Sequence, residues 1–228
     1  MGSRETTAEP PHHGYRGAAT PPPTLQKPRG LTVAISREAG SRGGTLAGTL
    51  GRALGWPVYT QEMLDFLAHD ETARAELLVD LPDAAQVWAA QQFLELTRIR
   101  GLAVTSDTAA VARLIFILAA RGETVLVGRG AGFLLPPAST IHVRIIAPPN
   151  DRVAYLSQWL RLTSEEAATE VQSRDRRRAD FLAKLSDRNP ADPAGYDLVL
   201  NSARLGLEAC VEAIAVVVRA KQLPDDES

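Results

Sequence analysis

The chain has 228 residues, 45% of them hydrophobic, and a formal net charge of −2 from 25 basic and 27 acidic residues. That length and apolar content suit one domain with an excursion, and the near balance of charge argues against a nucleic-acid-binding surface. The single cysteine, Cys210, excludes an internal disulfide framework and a cysteine-built zinc site, and its apolar helical setting marks it as a core residue. The best apolar run, Cys210 to Val218, is broken by Glu212 and falls short of the roughly 18 residues that a membrane span needs. No apolar signal region opens the chain, so a reducing, cytoplasmic setting away from membranes is expected.

Residues 1–30 read as a disordered Pro-rich tail, with six of the fifteen Pro and little apolar content to offset the cost of ordering. If the chain has a protein partner, this tail is the segment expected to meet it. His12-His13 reads as solvated rather than metal-binding, and the match of Gly2 to Thr6 to a myristoylation pattern is short enough to arise by chance.

From residue 31 the chain alternates. Leu31 to Ile35 is an apolar strand that ends in a glycine-rich turn, Gly40-Ser41-Arg42-Gly43-Gly44-Thr45. A helix over 43–54 follows, with Leu46, Leu50 and Leu54 on one face and Gly55 as its cap. Trp56 to Tyr59 reads as a short strand and 61–69 as a helix, followed by an Asp/Glu-rich connection. Helices are expected at 83–99 and 108–120. Val125-Leu126-Val127 is a short buried strand that runs into Gly128-Arg129-Gly130-Ala131-Gly132. Ile141 to Ala147 is another strand, in which His142 reads as a packed histidine rather than a ligand. Helices at 149–161 and 164–185, a Pro/Gly/Asp-rich loop at 188–195, a strand at 196–201 and a last helix at 205–221 complete the domain. Residues 223–228 read as a flexible tail.

Apolar strands separated by helices imply an α/β fold, a parallel sheet covered on both faces. Ligands of such sheets bind at the carboxyl ends of the strands. The Gly40 turn, Gly128-Arg129-Gly130 and Asn201 all fall at such ends.

The strand–glycine turn–helix unit carries most of the chemistry. Successive backbone N–H groups in such a turn point inward, and the helix dipole adds roughly half a positive charge, so the unit suits phosphate. The turn lacks the Lys of a G-x-x-x-x-G-K-[ST] loop, because Gly43 stands in its place. The three Lys of the chain, Lys27, Lys184 and Lys221, are all remote in sequence. Positive charge for the phosphates must therefore come from Arg42, from Arg37 or from a distant Arg, whose guanidinium pairs with phosphate in a bidentate way. A second constellation, Arg174-Asp175-Arg176-Arg177-Arg178, lies on the long helix with Arg188 beyond it. It reads either as a solvated, ion-paired helix with Glu165, Glu166 and Glu170, or as a basic segment that closes over phosphates.

In this order and spacing the blocks resemble the cytidylate kinase-like branch of the P-loop nucleoside monophosphate kinases. The resemblance runs from about Leu31 to the final helix. It rests on Ser36 to Gly44 (SREAGSRGG), Trp56 to Tyr59, Val125 to Leu135, Arg174-Asp175 with Arg178-Ala179-Asp180-Phe181, and Tyr196 to Ile214. It implies a three-layer sandwich with a parallel sheet of about five strands over residues 31–222. It also implies a helical acceptor-binding excursion at 60–120 and a basic lid at 162–190. Gly40, Ser41, Arg42, Gly43, Gly44 and Thr45 would bind the phosphates of ATP. Mg²⁺ would be carried through those phosphates, with no protein ligand assigned. Arg129 would contact the acceptor monophosphate, with Arg37, Asp65 and Asp175 as further substrate contacts. Arg42, Arg174, Arg177 and Arg178 would stabilise charge on the transferring phosphoryl group. Glu38 and Asp65 are the acids to test as organisers of metal or acceptor.

The chain also departs from the resemblance. Cytidylate kinases end the loop in Gly-Lys-Gly-Thr and flank the later Gly-Arg with acids, where this chain has Val127 and Gly130. The related cytidylate kinase-like group has a glycine-serine-glycine-glycine loop that also lacks Lys, and here Arg42 interrupts that glycine run. Three readings follow: an ATP-dependent phosphotransferase acting on CMP, dCMP or a similar small acceptor; a nucleotide-binding sensor or partner protein without transferase activity; and a kinase for another hydroxyl acceptor.

Overall fold

The computed structural model describes residues 30–222. The two tails lie outside the described residues, and with them His12-His13 and the segment expected to meet any protein partner. Five strands, β1 (Thr32–Arg37), β2 (Val58–Tyr59), β3 (Thr124–Val127), β4 (Thr140–Ile146) and β5 (Leu198–Asn201), pair in parallel in the order β2-β3-β1-β4-β5. The chain fills one side of β1 before crossing to the other. The carboxyl end of β1 is therefore the switch point, where an open α/β sheet leaves a crevice.

Alternation along the strands sorts the two layers. Val33, Ile35, Val125, Val127, Ile141, Val143 and Ile145 face helices α1 (Gly43–Leu54) and α10 (Leu207–Gln222), meeting Leu46, Leu50, Cys210 and Ile214 in one core. Ala34 and Leu126 face the other way. They pack with α2 (Gln61–His69), α4 (Asp83–Arg100) and α5 (Asp107–Arg121), whose Leu64, Trp88, Phe93, Leu114 and Phe116 form a second core. The sandwich of three layers expected from the sequence is thus observed.

Helix α7 (Pro149–Leu160) and helix α8 (Ser164–Leu185) make a hairpin. A capping box starts α8: Thr163 Oγ1 accepts from the Glu166 N–H, and Glu166 Oε2 accepts from the Thr163 N–H. Leu156, Ala167 and Val171 of this hairpin bury Ala39, the residue before the glycine turn, so the long basic helix is packed against the loop.

Several boundaries differ from the sequence reading. The Asp/Glu-rich connection is a helix, α3 (Glu71–Val79), started by the Asp70 carboxylate accepting from the Ala73 N–H. It buries no residue completely, so it carried little amphipathic signal. β1 extends through Ser36 and Arg37, beyond the strand expected over Leu31 to Ile35, because β4 runs alongside and pairs with them. The segments after β3 and β5 each fold into one turn of helix, α6 (Ala131–Leu134) and α9 (Ser202–Leu205). β2 and β5 are shorter than expected.

Candidate functional site

The glycine turn begins with tight backbone. Gly40 has φ +80°, and a Cβ there would run into the Arg152 carbonyl of α7. Ser41 is fully buried; its Oγ donates to the Glu38 carbonyl at 2.8 Å, and its own carbonyl accepts from Ser202 Oγ at 2.7 Å. Arg42 occupies the N-cap position of α1 in the left-handed region, φ 60°, and makes no side-chain cap. The first N–H groups of α1, on Gly43, Gly44 and Thr45, precede the first intrahelical bond, Leu46 N–H to Arg42 carbonyl at 3.0 Å. Gly44 and Thr45 are exposed. An uncapped helix start with glycine on its first turn is a ready anion site.

The two candidate replacements for the loop Lys part company. Arg42 is exposed and turns outward, its guanidinium carbon 5.7 Å from the centre of the Tyr155 ring on α7. Arg37 turns inward. Its Nη1 is buried without a hydrogen-bond partner, and its stem fills the space beside Gly43: a Cβ on Gly43 would lie 2.8 Å from Arg37 Cβ and 3.0 Å from Cδ. Burial, then the neighbouring charge of Arg178, pulls the Arg37 guanidinium down to about 10, so it stays charged at neutral pH. A side chain at 43 and the Arg37 stem compete for one volume, which gives the missing Lys a steric reason.

Arg129, at the end of β3, also sits at positive φ, 53°. Its guanidinium forms a two-point pair with Asp65 of α2, with Nε donating to Oδ1 at 2.7 Å and Nη2 to Oδ2, and it stacks 4.5 Å from the centre of Phe181. These two expected substrate residues, 64 positions apart, are thus brought together. On α8, Arg174, Asp175 and Arg178 are half-buried, whereas Arg176 and Arg177 are exposed. Arg174 pairs with Glu170 at 2.6 Å, and Arg177 approaches the same carboxylate at 3.7 Å. Asp175 binds the Ala39 N–H at 2.7 Å and Arg152 at 2.5 Å.

Two adjoining cavities share Gln61, Arg129 and Arg178. The first, about 220 Å³, is walled by Ser36, Arg37, Glu38, Arg144, Asp175, Phe133, Phe181 and Tyr196. The second, about 370 Å³, is walled by Arg129, Arg174, Arg177 and Arg178 against one acid, Glu62. Burial works to raise Glu62, but hydrogen bonds at the start of α2 and the Arg37 and Arg178 charges hold it below the usual carboxylate range. Desolvation lowers Arg178, opposed by Asp175. With Arg37, five guanidiniums gather near four carboxylates, Glu62, Asp65, Glu170 and Asp175, a positive surplus that suits an anion. Arg188 lies away from this cluster, lining a shallow surface hollow at the end of α8.

Several of these residues were not foreseen. Arg144 and Arg152 both bracket Glu38, at 3.4 and 3.6 Å, so Glu38 is committed to two ion pairs. Among the described residues no group of three His, Cys, Asp or Glu is placed to hold a metal. A divalent ion here would depend on oxygens of a bound ligand, with Glu62 as the nearby acid. His142 is packed, as expected, but in a defined relay. Its Nδ1 lies 2.8 Å from the Gly195 carbonyl, which can only accept, so Nδ1 carries the proton and Nε2 accepts from Ser36 Oγ at 2.9 Å. The sequence held one signal for this wall: His142 and Arg144, two apart in an apolar strand, must share a face.

Over 102 residues the chain is 30% identical to a cytidylate kinase from Ignicoccus hospitalis, covering 45% of this chain and 59% of that protein. Over 101 residues it is 32% identical to a uronate isomerase from Corynebacterium glutamicum, covering 44% of this chain and 19% of that protein. The chain therefore spans about three fifths and about a fifth of these curated relatives. A crystal structure of an uncharacterized protein from Eubacterium ventriosum superposes with a TM-score of 0.59 at 18% identity, covering 83% of this chain and 98% of that one, a likeness of fold. Among the described residues no helix is long and apolar enough to cross a membrane. The sequence model of the cytidylate kinase-like family matches residues 32–204, from the first strand to the turn after the last, and the chain belongs to that family.

Proposed function

We propose that the protein is a phosphotransferase that moves the γ-phosphoryl group of ATP to a nucleoside monophosphate, CMP or dCMP first among them. The observation that carries this reading is Arg37. One nitrogen of its charged guanidinium, Nη1, is buried without a hydrogen-bond partner, and the side chain lies beside the uncapped start of α1 and near a cleft of four further arginines. Leaving such a group unpaired is costly, and an anionic ligand removes the cost.

In this reading Gly43, Gly44 and Thr45 hold donor phosphates through their N–H groups, and Arg37 supplies the charge that Lys supplies elsewhere. Arg129, steadied by Asp65, meets the acceptor phosphate. Arg174, Arg177 and Arg178 bear on the phosphoryl group in flight, while Asp175 positions their helix. Residues 60–120 serve as the acceptor excursion and 162–190 as the lid. Mg²⁺ on the donor phosphates would neutralise charge that builds during transfer. Little covalent chemistry is asked of the protein; it aligns the two substrates and offsets charge.

The test is binding of Mg-ATP and CMP, followed by transfer to a panel of monophosphates, with Arg37→Ala alongside. Turnover that falls about 10²- to 10³-fold in Arg37→Ala, the scale for loss of one preorganised donor, supports the reading. ATP binding with no turnover on any acceptor favours the second reading, a nucleotide sensor, for which the absent Lys and the engaged Glu38 speak. The absence of ATP binding would reduce the glycine turn to a structural turn.

A further inference from the structure

Helix α7 runs outward from the glycine turn. Its Arg152 carbonyl abuts Gly40, Tyr155 lies under the Arg42 guanidinium at 5.7 Å, and Trp159 stacks on Tyr155 with ring centres 6.0 Å apart and planes 19° from parallel. Residues 152, 155 and 159 share one helical face. At 1.5 Å per residue, that face extends about 10 Å from the loop. Trp159 is 69% exposed, whereas Trp56 and Trp88 are buried in the cores.

Two features of this ladder lack a structural purpose. Trp159 is left open to water and stabilises little of the fold, whereas Tyr155 beneath it is half-buried against the Ala39 cluster. Arg42 holds a left-handed backbone that glycine would adopt without strain, and glycines stand on its other side at 43 and 44. The strained residue sends its cation to the aromatic pair. A strained residue beside a ligand loop points to function.

We infer that Arg42, Tyr155 and Trp159 form a stacking platform for the base of the nucleoside triphosphate donor, preferring purines for their larger ring. The inference rests on the phosphate-binding reading of the glycine turn. It assigns Arg42 to the base end of the donor instead of the transferring phosphate. Stacking needs only a π-face, so discrimination among bases is by ring area and not by hydrogen-bond pattern.

The experiment titrates the full chain and its Trp159→Ala and Tyr155→Ala variants with ATP, CTP and inorganic tripolyphosphate, following heat of binding and tryptophan emission. Trp159 is on the surface, so its variant should fold, and retention of the circular dichroism melt checks this. The expected result is about tenfold weaker ATP binding in Trp159→Ala, the scale of one lost base–aromatic stack, with tripolyphosphate binding unchanged. Emission quenched by ATP in the parent and not in Trp159→Phe would support the same contact. Equal ATP affinity in parent and variants would overturn the platform while leaving the phosphate site intact. If neither ATP nor tripolyphosphate binds the parent, the phosphate-binding reading falls, and the platform with it.

Discussion

The carboxylate of Asp175 accepts a hydrogen bond from the backbone N–H of Ala39 at 2.7 Å, across 136 residues of sequence. Its other oxygen takes Arg152 Nη1 at 2.5 Å, and Arg178 lies 3.5 Å from the first. One carboxylate therefore ties the glycine turn to α7 and α8. Asp175→Asn keeps the shape and removes the charge. Arg152, whose Nε is already buried without a hydrogen-bond partner, would keep Glu38 as its ion-pair partner and the Ala39 carbonyl as an acceptor. The expected loss is about 1–3 kcal/mol, seen as a lower denaturant midpoint at unchanged slope. Amide exchange at Ala39 should quicken at the same time. An unchanged midpoint together with unchanged exchange at Ala39 would show that the carboxylate is not a tie.

Arg129 and Asp65 form a fork-to-carboxylate pair open to the arginine cleft. If Arg129 meets the acceptor phosphate as proposed, Arg129→Ala should raise the KM of the acceptor at least about tenfold and that of ATP far less, because one charge-assisted contact to phosphate is lost. Arg129→Lys should fail to restore it, since an ammonium cannot span both Asp65 and a phosphate in one plane. Steady-state kinetics with CMP varied at saturating ATP decides this. Equal rises in both KM values would remove Arg129 from the acceptor side.

What the sequence made legible follows from how far apart the determining residues lie. The β1–turn–α1 unit is local: Leu46, Leu50 and Leu54 report one helical face, and the glycines report the turn. The pairing of Arg129 with Asp65 is not local, and no pattern within either segment announces it. The inward turn of Arg37 depends on a strand boundary. β1 continues to Arg37 only because β4 pairs with it, and that continuation turns the Arg37 stem onto Gly43. The place of Arg42 beside Tyr155 was not legible because its left-handed φ is rare for a residue with a Cβ. Helix α3 was missed because its apolar residues are only partly covered, so the acids dominated its pattern.

The steric exclusion between Arg37 and position 43 makes its own prediction. Gly43→Lys, which restores the familiar loop by sequence, should destabilise the protein by about 1–3 kcal/mol, as expected for overpacking against a stem 2.8 Å away. Arg37→Gly should relieve it, so that the double variant is more stable than the sum of the two single changes implies. A double-mutant cycle in urea measures the coupling. Simple additivity would mean that the two positions do not share the volume.

His142 gives the chain a pH-dependent stability with a defined window. Burial pushes its imidazole down to about 4, against the Gly195 carbonyl and Asp197, which act to raise it. The ordinary value is about 6.5. Above pH 6.5 the ring is neutral in both folded and unfolded chains, and nothing is lost. Between 6.5 and 4 the unfolded chain binds a proton that the folded one refuses, so stability falls as pH falls. Below 4 both are protonated and the loss levels off, with an upper bound of about 3 kcal/mol for this residue. Carboxylates also titrate toward the acid end of this range, so the measurement is a difference. Unfolding midpoints from pH 7 to 4.5 should decline less steeply in His142→Gln, which keeps a neutral hydrogen-bonding side chain against Ser36. Parallel declines would mean that the imidazole takes up its proton in the folded protein at its ordinary pH.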